Sequence, residues 1–329
     1  MLLVIATLIF MINKDKTHDT EIELKVLQAE KNIEEKLITS TELFTGGKLT
    51  TDTSIHSIPL EKILPGGPGK DGIPALNTPT FSGMEEAQMW LPSDADGIIV
   101  TIGKTTRFYP YNILVWHEIV NDRIEDTSLV VTFCPLCGSA IVFDARVNGK
   151  TEYFGVSGSL YESNLLMYDV TTQSLWSQII GEAVVGTKTG TKLTIIPSQV
   201  LAFSDVIKNY PQAEVMSNET GFNRDYANGP YGDYNTNDAL YFPISINDTR
   251  LPTKEVMYIV NYAEKSIAFV RNALSATELV TVDNNTLEAR IVNGEIQVTD
   301  QDGAVIPGYT AMWFSWAIHH QDDGIVWKK

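Results

Sequence analysis

Short apolar runs, punctuated by glycine, proline and asparagine, recur from about residue 98 to the C-terminus. Runs this short, rich in β-branched residues and bounded by turn formers, read as strands. Residues 98–102 form one such run, Gly103-Lys104 turns it, and residues 106–109 pair back. Pro110 then opens a short helix over residues 111–116, a position where its missing N–H costs nothing. Strands follow at 129–133 and 140–143, and Asn148-Gly149 marks a type I′ hairpin between 141–147 and 151–156. Further strands are expected at 165–170, 174–178, 183–186 and 193–196, then a helix at 203–210 stopped by Pro211. Residues 221–238, rich in Asn, Gly, Asp and Tyr, read as a long surface loop or insertion. Residues 256–274 repeat the order strand, turn, strand, short helix of residues 98–114, an echo that a duplication would leave. Asn293-Gly294 marks one more hairpin, and the chain closes on an aromatic stretch with the adjacent His319 and His320. The fold predicted is mainly β (a β-rich α+β class), with antiparallel, barrel-like sheets and a few short helices.

At the other end, residues 1–12 are apolar and uncharged, too short to span a bilayer but suited to a truncated signal or anchor segment. Residues 13–64 read as a polar linker or stalk, with weak helical spacing over 21–38. The Pro/Gly cluster at residues 65–69 opens the folded part. A core half is expected over residues 65–217, with a second β-rich half over 218–329 packed on it. The implied setting is extracytoplasmic, membrane-anchored or secreted, and the sequons at Asn218, Asn247 and Asn284 are compatible with export. A net charge of −17 excludes nucleic acid as a partner, because no basic surface could displace counterions.

The chemistry concentrates in Cys134-Pro135-Leu136-Cys137-Gly138, which holds the only two cysteines of 329 residues. Between two strands, Pro fixes φ and Gly admits φ > 0, so both sulfurs can face one metal ion. Copper or zinc would need further ligands, and no second cysteine pair exists. His117 is the first candidate, Met167 the second, with copper ahead of zinc because a thioether is soft. His320 is a more distant option, and so is His319 beside it, since on a strand only one of the two can point inward; His18 and His56 read as surface residues. Glu118, next to His117, suits a supporting partner or general base. Tyr161, Asn164, Asp169, Trp176 and Gln178 suit supporting or ligand-binding roles. Ser157 and Ser159 lack the Gly-x-Ser-x-Gly setting of a serine hydrolase.

Several blocks together resemble a known family. They are residues 71–76, Tyr109-Pro110, residues 116–122, residues 134–139, residues 154–158, Leu160-Tyr161, Ser163-Asn164, residues 167–169 and residues 174–178. In order and spacing they are similar to the uncharacterised domain of unknown function 3179, over residues 71–217 and more loosely 313–320. That resemblance brings a hint of export and no established activity. Three functions therefore stand open. The first is an extracytoplasmic metal-binding protein for electron transfer, metal handling or metal-assisted catalysis. The second is a thiol–disulfide redox protein using Cys134 and Cys137, and the third a non-enzymatic binding or structural domain. Whether the protein is an enzyme stays open with them.

Overall fold

Three larger sheets and a C-terminal four-stranded one form the framework of the computed structural model, which describes residues 48–328 apart from 275, 276 and 293. The expected signal or anchor segment and the stalk helix at 21–38 lie outside the described residues. The described residues form one compact unit. The expectation of a mainly β fold holds: among the described residues the sheets are mostly antiparallel, no barrel closes, and the helices are short. Among the described residues no helix is long and apolar enough to cross a membrane.

The seven-stranded sheet runs Gly324–Trp327, Lys265–Val270, Val256–Tyr262, Gly308–Met312, Ser139–Asp144, Thr127–Cys134, Ile119–Ile124. Strands from both parts of the chain thus share one sheet, joined where Thr310 pairs with Ala140. A five-stranded sheet packs beside it, ordered Ile63–Pro65, Phe154–Tyr161, Asn164–Asp169, Leu175–Ser177, Glu182–Val185, all antiparallel. Their shared core holds Ile141, Phe154, Met167, Trp176, Trp313 and Trp316 together with both cysteines. The opposite face of the 119–144 strands packs Val120, Val131 and Val142 against Ile98 and Tyr109 of a second five-stranded sheet. Alternation explains the division: successive side chains of one strand point to opposite faces, so Val130 and Val131 enter different cores.

Local signals placed most elements. Pro110 caps the helix Tyr111–His117, and Asn148 (φ 52°) with Gly149 (φ 78°) makes the expected two-residue turn. That turn joins strands of only two residues each, Arg146–Val147 and Lys150–Thr151, shorter than the pattern suggested. Residues 193–196 contribute only an isolated bridge, Ile195 to Phe143, instead of a strand. The echo is real as an order of elements: Asp96–Ile102, Thr105–Pro110 and Tyr111–His117 against Val256–Tyr262, Lys265–Val270 and the single 3-10 turn Arg271–Ala273. The first copy ends in a seven-residue helix that leads into the site; the second ends after three residues.

Candidate functional site

Strand Thr127–Cys134 turns into Ser139–Asp144 through residues 135–138, with Cys134 opposite Ser139. Gly138 sits at φ +54°, and a Cβ there would come within 3.0 Å of Met312 Cγ. Only glycine meets both demands, a left-handed backbone and a side chain packed against it. Met312 also donates its N–H to the Cys137 carbonyl at 2.8 Å, so the strand Gly308–Met312 locks the outer side of the turn. Inside, Cys134 and Cys137 form a disulfide with Cα atoms 5.5 Å apart. Both are buried, Cys134 at 2% exposure and Cys137 at 0%.

A polar network ends on the Cys137 sulfur. Asn164 opens its strand and accepts the Ile179 N–H on Oδ1 at 3.2 Å, which fixes its amide orientation. Its Nδ2 therefore faces inward, donating to Cys137 Sγ at 3.0 Å and to Gln178 Oε1 at 3.2 Å. Ser139 Oγ donates to the same Gln178 oxygen at 2.6 Å and lies 3.5 Å from the sulfur. Gln178 Nε2 in turn donates to Thr132 Oγ1 and to the Ser139 carbonyl. Each amide hydrogen and oxygen has a partner, and all four side chains are buried. A neutral network aimed at one sulfur favours that sulfur as an anion, since thiolate accepts N–H bonds better than disulfide sulfur does.

On the other side of the turn, Leu136 forms part of the wall of a pocket of about 330 Å³. Ile73, Val156, Leu160 and Leu165 supply apolar walls, Trp116 and Tyr231 aromatic ones, and Glu118 and Arg224 the charged groups. Gly158 (φ +75°) lets the 65–69 loop close this pocket, because a Cβ there would meet the Pro68 carbonyl at 2.3 Å. Glu118 has φ 58° and ψ −33°, an unusual backbone for a non-glycine residue, costing roughly 1–3 kcal/mol. Two hydrogen bonds impose it: Glu118 N–H to Leu114 O at 2.6 Å and Phe133 N–H to Glu118 O at 2.8 Å. The Glu118 carboxylate accepts from Tyr231 OH at 3.1 Å, and burial pushes its pKa up to about 7.

His117 points elsewhere. Its Nδ1 faces the Pro74 carbonyl at 2.7 Å and must therefore carry the proton, leaving Nε2 to accept from Tyr226 OH at 2.7 Å. Burial lowers its pKa to about 4, so it is neutral. Met167 lies in the same core as both cysteines, across from Trp176 in strand register. Asp169 and Trp176 build a separate network: the buried Asp169 carboxylate accepts from Trp176 Nε1, Thr172 and Lys188, and Lys188 also pairs with Glu152. Tyr161 lies toward His319, their ring centroids 6.0 Å apart. His320 pairs with Asp323 and stacks on Trp316. His56 is exposed, as expected. Of the residues singled out from sequence, the structure brings Asn164 and Gln178 to the cysteines and Glu118 to the adjoining pocket. Among the described residues no three or more His, Cys, Asp or Glu side chains converge as a metal-binding group.

What sequence reasoning missed lies in residues 221–250. This loop straps across the site: Tyr226 bonds His117, Tyr231 bonds Glu118, and Tyr234 OH donates to the Leu136 carbonyl at 2.7 Å. Trp116 Nε1 reaches the carbonyls of Asp225 and Asn228. Lys254 pins the loop by donating to the carbonyls of Tyr234, Asn237 and Ala239 while lying over the Tyr234 ring. Its tyrosine content was the one available signal, since buried tyrosines bring hydroxyls that need partners.

A family model described as a protein of unknown function, DUF3179, matches residues 70–304. The match runs through the strap and well past residue 217, and it stops short of residues 313–320. No curated protein and no solved structure matches the chain.

Proposed function

The chain belongs to the DUF3179 family, and since that membership carries no activity, we propose from the site alone that the protein is a thiol–disulfide redox protein whose exchanging pair is Cys134–Cys137. The observation that carries this reading is the Asn164 amide, locked by the Ile179 N–H so that its Nδ2 donates to Cys137 Sγ at 3.0 Å. A leaving thiol departs faster as its thiolate is better stabilised. The thiolate of a substrate dithiol attacks Cys134 Sγ, on the cysteine that is not wholly buried. The Cys134–Cys137 bond breaks and its electron pair leaves on Cys137, where Asn164 receives it. The second substrate thiolate then attacks the substrate sulfur of the mixed disulfide and releases Cys134. Two electrons and two protons have passed from substrate to the pair, leaving a substrate disulfide and a reduced protein dithiol. The strap over Leu136 shields the pair, so exchange calls for a partner that displaces or enters beneath it. An extracytoplasmic home, tethered or secreted, fits a pair that rests oxidised.

Alkylation mass spectrometry of the native protein in graded dithiol/disulfide buffers tests this. Two-electron titration of the pair without unfolding is the expected result. A pair that yields only after denaturation would sink the redox reading and leave a structural clasp.

The copper or zinc reading keeps one favourable observation, the shared core of Met167 and both cysteines. It would require the disulfide to open and Tyr226 to give up the Nε2 of His117. Metal content of the reduced protein, against a Cys134→Ser, Cys137→Ser double variant, decides it. One equivalent of copper or zinc lost in the variant would replace redox exchange with metal binding.

A further inference from the structure

The pocket beside Leu136 has its own chemistry, independent of the sulfur pair. Its walls are mostly apolar, with Ser159, Tyr231 and the exposed Arg224 as further polar groups, and its one carboxylate is that of Glu118, which is 6% exposed. That carboxylate accepts a hydrogen bond from a neutral hydroxyl, Tyr231 OH. No lysine, arginine or histidine pairs with Glu118 among the described residues. His117, the nearest in sequence, turns its ring to Pro74 and Tyr226. Arg224 lines the pocket too, but it is exposed, lies over the Trp116 ring at 5.5 Å, and its charge is felt at His117 and Tyr226. The upward shift at Glu118 comes from burial, and the Tyr231 hydrogen bond opposes it.

A buried carboxylate without a counter-charge is costly, and the cost is recovered when a cation arrives with hydrogen bonds to give. Aromatic walls add attraction for the same charge, and Arg224 on Trp116 already uses one such face. The net charge of −17 enriches cations around the whole molecule. Apolar walls from Leu136, Leu160 and Leu165 call for an apolar body behind the charge.

We propose that this pocket is a binding site for a small amphipathic amine, whose ammonium pairs with Glu118 and whose apolar body lies against Leu136, Leu160 and Leu165. Phenethylamine, phenethyl alcohol and phenylacetate are probes of one size that differ in the charge of their head. Calorimetric titration of the full-length protein with each, at pH 8, should rank the amine first by about tenfold or more. The amine stays protonated across about pH 5 to 8. Its affinity should therefore fall by about tenfold per pH unit below about 7, as Glu118 takes up a proton. Glu118→Gln keeps the shape and should abolish both the preference and the pH dependence. Should that variant fail to fold, the three-probe ranking and the pH series on the native protein decide alone. Equal binding of the alcohol, tighter binding of phenylacetate, affinity that rises toward acid, or no amine binding at millimolar concentration would each overturn the assignment.

Discussion

The strand pair Asn164–Asp169 and Leu175–Ser177 carries a polar network at each end, and the two are built on opposite plans. At one end Asp169 collects the Trp176 indole, Thr172 and Lys188, a charged cluster in which Lys188 is shared with Glu152. At the other, Asn164 and Gln178 join Ser139 and Thr132 in a neutral cluster that ends on Cys137. Charge holds the first together, with Lys188 shared between two carboxylates, so removing Lys188 would leave two like charges unpaired in the interior. The second holds no ion in this structure, yet it is poised to accept one on sulfur. Polarity alone therefore says little about role; what a network ends on says more.

The sharpest break is at the charged end. Asp169→Ala leaves Lys188 paired with Glu152 alone and removes the acceptor of the buried Trp176 N–H and of the Thr172 N–H, so urea unfolding should show a loss of roughly 2–4 kcal/mol. The potential of the cysteine pair should barely move, since the sulfur contacts lie elsewhere. Next comes Asn164→Leu, which removes the donor to Cys137 Sγ. A hydrogen bond to a charged group is worth about 1.5–3 kcal/mol, and about 30 mV corresponds to 1.4 kcal/mol for this couple. The pair should become more reducing by roughly 30–60 mV, read by alkylation in graded redox buffers. An unchanged potential would reduce both networks to packing and erase the contrast.

Glu118→Gln contributes through pH. Burial raises the Glu118 pKa to about 7 from 4.5, so the folded state holds a proton that the unfolded state has released between those values. Native stability from this group is present below the lower value and is lost as pH rises toward 7. The variant should gain on the native protein across that window, by on the order of 2 kcal/mol at its top, in paired denaturant titrations. His117, lowered to about 4, works in the opposite direction, its stabilisation fading as pH falls from 6.5. It is present in both proteins and cancels in the difference. The smallest effect belongs to Lys62→Met. Lys62 pairs with Glu162 at 3.4 Å but is 45% exposed, and solvent screening should hold its thermal-denaturation cost below about 1 kcal/mol. A larger loss would mean that exposed and buried lysines of this sheet differ less than their settings imply.

Local chemistry made much of the fold readable. The strands around the cysteines, the turn at Gly138, the Asn148-Gly149 hairpin and the helix after Pro110 each follow from residues a few positions apart. Asn164, Asp169, Trp176 and Gln178 were all visible as unusual polar or aromatic residues in an apolar stretch. Alternation could not divide them, because it assigns a face and not the end of the strand that meets the turn. The 278–306 strands were nearly silent, their alternation broken by charged residues and a single Asn-Gly signal. Glu118 looked like a supporting group for His117; a left-handed carboxylate turning into a pocket is imposed by Leu114 and Phe133 and leaves no mark on spacing. The strap looked like a surface insertion because polar, Gly-rich composition is what loops and insertions share.

The three tyrosine hydroxyls of that strap bond residues 109, 113 and 98 positions away in the chain. Closing loops of that length is entropically slow compared with forming the neighbouring hairpins. In refolding, far-ultraviolet dichroism should recover before tyrosine fluorescence does, and any burst of cysteine alkylation should fall in the interval between them. The disulfide would thus be made or broken most freely in a chain whose sheets already stand and whose last loop has yet to lie down.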